Sequence, residues 1–235
     1  MSAALSPAAA PDGPARHRPP LLADPDLADT LDRFAGAFTT LSRLLVAAPA
    51  AAVLGRVRDP ELLAQWPLPD VPECLRGVAL LSESAAAREA EATVRRDYNR
   101  LFVGPERLKA PPYESVHRSP DHLVFDRETL QVRAAYAQFG LAAPRLNQEP
   151  DDHIGLELGF LATLCVRGLD ALEADDDGEL ARVLGALVAF LRDHVLLWAP
   201  RCLTQVAEGS ATYFFQGVAA LGLGTLARAR EAFLP

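Results

Sequence analysis

The stretch LARVLGALVAFLRDHVLLWAP, residues 180–200, carries the clearest fold signal in the chain. Leu180, Val183, Leu184, Leu187, Val188, Leu191, Val195 and Trp198 recur at steps of three and four, which is one face of an amphipathic helix. Pro200 is expected to end it, and the acidic Asp175, Asp176, Asp177 and Gly178 form the turn before it. Working outward, the same period recurs. Phe34, Phe38, Leu41 and Leu45 define a helix that stops before Pro49, and Pro60 opens another that WPLPDVP (66–72) breaks. Val94, Tyr98, Leu101 and Phe102 are the stripe of a helix starting near Ser84 and ending at Gly104 and Pro105. Asp126 is placed to cap a helix with Val132, Tyr136 and Phe139 on its inner face, ended by Gly140. HLVF (122–125) is the only short strand candidate. The expectation is all-α: an irregular single-domain helical bundle with a long Pro-rich inter-helix loop over 104–125. Residues 1–25 hold six prolines among many alanines, a composition unable to bury enough apolar surface to order itself. They are read as a disordered tail, and 26–235 as the helical domain.

Composition narrows the functional classes. The chain of 235 residues is 50% hydrophobic and 23% charged, typical of a globular protein with room for a sizeable core. Asp and Glu outnumber Lys and Arg by 31 to 23, a net charge of −8, which argues against nucleic acid and for a basic partner. Cys74, Cys165 and Cys202 are odd in number and form no C-x-x-C pair, so they read as small buried hydrophobes in a reducing compartment. The N-terminus lacks the charged start and apolar run of an export signal. The uncharged stretch 209–227 holds four glycines as well as Ser210, Thr212, Gln216 and Thr225, and reads as a buried core helix rather than a membrane span. A cytoplasmic protein without stable membrane insertion is expected. No phosphate-binding glycine loop and no nucleophile elbow occurs, and Arg95–Arg96 reads as a solvated helix face.

Two segments carry candidate chemistry. EPDDHIGLELGFLATLC (149–165) crowds three carboxylates, a proline and a histidine at the mouth of a helix. Asn147 or Asp151 could supply the N-cap, Pro150 suits a first turn, and the helix dipole favours the acids by roughly 0.3–1 kcal/mol each. A cap does not explain His153, whose protonated form would oppose that dipole. A metal site built from Asp152, His153 and Glu157 is the enzymatic alternative, although no H-E-x-x-H pattern is present. The other segment is APPYESVH (110–117). Pro111 and Pro112 stiffen it, Tyr113 offers an amphipathic ring, and Glu114 and Ser115 offer acceptors. A loop of this length is uncommon in a compact domain and often binds something. With the acidic turn it would make a groove for an apolar, basic peptide.

YNRLFVGP (98–105), the APPYES that follows, and EPDDHIGLEL (149–158) resemble, in order and spacing, three motifs of the TorD/DmsD family. FLRDHVLLWAP (190–200) is similar to the family's C-terminal helix, and the resemblance runs from about Asp26 to Leu234. It implies a cytoplasmic, non-enzymatic, all-helical chaperone without a cofactor. Such a chaperone binds the twin-arginine leader or the apo form of a molybdopterin oxidoreductase and holds back export until the cofactor is inserted. The E-P-x-D-H signature falls on Glu149, Pro150, Asp152 and His153, and the loop motif on Pro111, Pro112, Tyr113 and Ser115; the resemblance implies partner binding for all eight. Tyr113 stands where a tryptophan is common, and His117 where the loop often ends in an aromatic. Some members are linked to weak guanine-nucleotide binding, which no motif here decides. A chaperone of the NarJ type, whose client retains no exported leader, is the main alternative, and a metal-dependent helical hydrolase the other.

Overall fold

The computed structural model describes residues 24–104, 108–119, 123–144 and 150–234. Among these the chain runs through α1 (Leu27–Val46), α2 (Ala51–Val57), α3 (Pro60–Leu63), α4 (Pro72–Ala86) and α5 (Glu91–Tyr98). It continues through α6 (Glu114–Arg118), α7 (Arg127–Ala137), α8 (Ile154–Glu173), α9 (Asp177–Phe190), α10 (Leu196–Gly209) and α11 (Tyr213–Phe233). π-helical turns extend α5 over Asn99–Val103 and join α9 to α10 over Leu191–Val195. The all-α expectation holds: among the described residues the extended pairing is the single bridge between Tyr113 and His153. Leu123, Val124 and Phe125 form no strand and lie exposed; His122 and all of the expected tail except Asp24 and Pro25 fall outside the described residues.

Two close helix pairings set the architecture: α1 lies on α8, and α4 on α11. Both rely on glycine where backbones approach. A Cβ on Gly155 would stand 2.8 Å from the Val46 amide nitrogen, and one on Gly217 would stand 3.0 Å from the Gly77 carbonyl oxygen. Ser42 seals the first pairing by donating its hydroxyl to the Gly155 carbonyl (2.6 Å). α9 and α10 complete the bundle against α8 and α11. The core is aromatic-rich: Phe34, Phe38 and Phe233 meet at one place, Tyr98, Phe102, Phe214 and Phe215 at another, and Tyr136, Phe139, Phe160 and Phe190 at a third. All three cysteines are free and buried. The 209–227 stretch is the end of α10 and most of α11, a buried core helix. No helix among the described residues is long and apolar enough to cross a membrane.

Besides the strand candidate and the short α6 that interrupts the expected 104–125 loop, the structure departs from the sequence expectation in three places. The helix expected from Ser84 to Gly104 is two, because the chain turns at residues 87–90 with Arg88 in the left-handed region (φ 50°). No glycine or proline marks that turn. It is held from a distance by Glu89, whose carboxylate accepts from the Tyr213 and Phe214 amides at the start of α11 (2.8 and 3.1 Å) and from the Ser84 hydroxyl (2.6 Å). Asp97 ties the same helix start, accepting from the Ala211 amide and from the amide and hydroxyl of Thr212. The second departure is Pro200, which lies inside α10 instead of ending its predecessor. The wide turn before it, where the Leu196 amide reaches back to the Leu191 carbonyl, re-registers the ladder so that the helix continues through the proline. The third is the cap of α8, described next.

Candidate functional site

The start of α8 and the 110–119 loop are joined by main-chain pairing. The Ile154 amide donates to the Pro112 carbonyl (2.8 Å), and the Glu114 amide to the Asp152 carbonyl (3.0 Å), on either side of the Tyr113–His153 bridge. The Tyr113 ring stands edge-on to the His153 ring at 5.4 Å. The loop residues Pro111, Pro112, Tyr113 and Ser115 are therefore assembled with Asp152 and His153, distant in sequence, along one seam, and Pro150 is buried just before it. Glu149 and the cap candidate Asn147 lie outside the described residues.

His153 itself is the N-cap of α8: its Nδ1 accepts from the Gly155 amide (3.0 Å). Only a neutral imidazole can accept there, and burial pushes the pKa of His153 down to about 4. The dipole conflict foreseen for a protonated histidine thus disappears. Asp151, the cap candidate, does something else. Its Oδ2 accepts from Nη2 and Nε of Arg133 on α7 (2.7 and 3.2 Å), and its carbonyl accepts from the Tyr136 hydroxyl (3.2 Å). The paired carboxylate raises the pKa of Arg133.

Asp152 is fully buried and engaged at both oxygens. Oδ2 accepts from the Ser115 amide (2.7 Å) and Oδ1 from the Thr129 hydroxyl (2.7 Å). It acts as a clamp, capping the first turn of α6 and pinning it to α7. Glu114, also buried, faces the opposite way: Oε2 meets His194 Nδ1 at 2.8 Å and Oε1 takes a hydrogen bond from Arg118, which also donates to the Asp193 carbonyl (3.0 Å). Behind them Glu157 Oε2 accepts from the Trp198 indole (3.0 Å). Pro111 accepts through its carbonyl from His117 Nε2 (2.8 Å) and from the Cys202 thiol (3.4 Å). Burial pushes the Cys202 thiol well above the usual range, so it stays protonated.

This arrangement ties the 110–119 loop to the start of α8. The metal-site reading needs Asp152, His153 and Glu157 to converge on one point. The first two already serve amide and hydroxyl donors, and among the described residues no group of three His, Cys, Asp or Glu is arranged to hold a metal. Sequence reading missed Thr129, Arg133, Arg118, His194 and Trp198 as the partners of these acids. Only Glu114 and Arg118, four apart on one helix, left a local signal.

Alongside the seam runs a shallow groove of about 420 Å³ lined by Arg118, Arg127, Gln131, Asp193, His194 and Leu197. Leu197 is 56% exposed; Leu130, in the same turn of α7 as Gln131, is 61% exposed.

Residues 69–204, from just before α4 through most of α10 and including both partners of the seam, match the nitrate reductase delta subunit family. The probable Tat proofreading chaperone DmsD of Haemophilus influenzae is 30% identical over 175 residues, 74% of this chain and 76% of the relative. The Tat proofreading chaperone DmsD of Salmonella typhi is 29% identical over 165 residues, covering 70% of this chain and 71% of its own. A chaperone protein TorD of Vibrio cholerae is 26% identical over 146 residues, 62% of this chain and 64% of the relative. With an all-helical fold and a match across more than half its length, this chain belongs to the nitrate reductase delta subunit family, which takes in the TorD and DmsD chaperones.

Proposed function

We propose that this chain is a dedicated chaperone of a molybdopterin oxidoreductase, binding its twin-arginine leader, its apo form or both, in the cytoplasm until the cofactor is inserted. The observation that carries the reading is the relationship to Tat proofreading chaperones over about three quarters of the chain. The seam supports it. An ordered loop presents the partly exposed Pro111 and Tyr113, and the adjoining groove sets the exposed Leu197 among polar and charged side chains, a surface along which an extended peptide can lie. Asp152, enclosed by Ser115 and Thr129, contributes by holding the loop in place. In this reading Glu149 is the motif carboxylate that receives the leader's arginines, and a carboxylate can accept a guanidinium in bidentate fashion.

Calorimetric titration with a synthetic peptide of an arginine pair followed by an apolar stretch tests this. Replacing the pair by lysines keeps charge but loses the planar fork, so affinity falls modestly; glutamines cost more, and Glu149→Gln narrows the gap. Equal affinity for arginine and glutamine peptides would favour the NarJ-type reading, in which the client has no exported leader.

A further inference from the structure

Glu157 is fully buried in the first turn of α8, and the groups around it are acidic or neutral. From α10 come the Trp198 indole and the protonated Cys202 thiol, from α7 the Tyr136 hydroxyl, from α6 the Glu114 carboxylate, and from the turn before α8 the Asp152 carboxylate. The nearby Arg118 guanidinium and the His194 ring are both bonded to Glu114. Glu157 Oε2 has its indole donor; Oε1 is buried and receives no hydrogen bond. As an anion Glu157 would hold an unsolvated charge against two other carboxylates. As a neutral acid it becomes a donor, and each Glu114 oxygen retains a lone pair to accept it.

We infer that Glu157 and Glu114 share one proton, and that this proton fastens the 111–119 segment to the start of α8. Burial and the charges of Glu114 and Asp152 raise the pKa of Glu157 well above the ordinary carboxylate range, consistent with a proton held at neutral pH. Because the folded value is raised, the bond is fully present at low pH and is lost as pH rises through the folded value. Loss of the proton sets Glu157 against Glu114 and drives α6 away. The three amides of the seam, those of Glu114, Ser115 and Ile154, are then released together. The loop is thus a pH-sensitive latch, whatever peptide it serves.

Amide hydrogen exchange of the full chain, corrected for the intrinsic rate, reads the latch directly. Between the ordinary carboxylate range and the raised folded value, protection at these three amides should fall with rising pH by up to about tenfold per pH unit, the slope for one released proton. Amides within α4 and α11 should not share that slope. Glu157→Gln, whose amide still accepts from Trp198 and donates to Glu114, should abolish it while keeping the amides protected. A flat wild-type profile, or an equal slope in Glu157→Gln, overturns the inference. Should that variant not fold, infrared spectra of the wild type decide. A neutral carboxylic acid band at about pH 7 that vanishes in step with protection supports the shared proton; absence of the band overturns it.

Discussion

Removing the Asp152 clamp should destabilise the chain in a way that separates its charge from its hydrogen bonds. Asp152→Ala deletes two bonds to an ionised acceptor, each worth about 1.5–3 kcal/mol, and strands the buried Ser115 amide; the Thr129 hydroxyl can rotate toward another acceptor. Against that, the variant no longer buries a carboxylate, which offsets part of the loss. The net expectation is about 3 kcal/mol. Asp152→Asn can keep both contacts. Its amide oxygen takes the Ser115 N–H, and its NH₂ donates to Thr129 Oγ1, which turns from donor to acceptor. Only the charge assistance is lost, about 1 kcal/mol. Urea unfolding with linear extrapolation measures both, provided the slope is unchanged between variants. Equal costs for Asn and Ala, or an Ala variant within about 1 kcal/mol of wild type, would refute the clamp.

The glycine at the α1–α8 crossing gives a second test: Gly155→Ala should cost about 1–2 kcal/mol by overpacking against the Val46 backbone, although alanine is the better helix former. Gly185→Ala on α9, exposed with no atom within 4 Å of the new Cβ, should stabilise by about 0.5–1 kcal/mol, and denaturation of both checks the contrast. His153 gives a pH dependence of known sign. Its folded pKa of about 4 lies below the unfolded value near 6.5, so the unfolded chain binds the extra proton and stability falls as pH drops between them. Between about pH 7.5 and about pH 5, wild type should lose about 2 kcal/mol more than His153→Asn, which retains a capping acceptor; equal losses in paired urea titrations would contradict the neutral cap.

Much of this architecture is legible from local signals, and the failures have a common cause. The Phe34–Phe38–Leu41–Leu45 stripe, the Asp126 cap and the Gly140 stop (φ 66°) all hold, because each depends on residues within a few positions. The break at 87–90 was not legible, since its ties come from Arg58 on one side and α11 on the other. Pro200 misleads for a related reason: a π-helical turn before it depends on how α9 and α10 must both reach the core. At the candidate site the sequence motifs single out two segments, and the structure pairs them along the seam. The motifs do not reveal that Asp151, Asp152 and Glu157 face inward, because carboxylates at a helix mouth look alike whether they meet solvent or Thr129, Arg133 and Trp198. His153 as the cap could not be read either, since a neutral histidine is made by burial.

The central claim is that a twin-arginine leader is held at the seam between the loop and α8. Hydrogen exchange with and without a saturating arginine-pair peptide tests it most directly, because every seam amide reports separately. The account predicts slowed exchange across residues 111–119 and 150–158 with the arginine peptide, and weaker slowing with its glutamine counterpart at equal concentration. A peptide that binds with measurable affinity while leaving both segments unchanged, and protects a different surface, would contradict it.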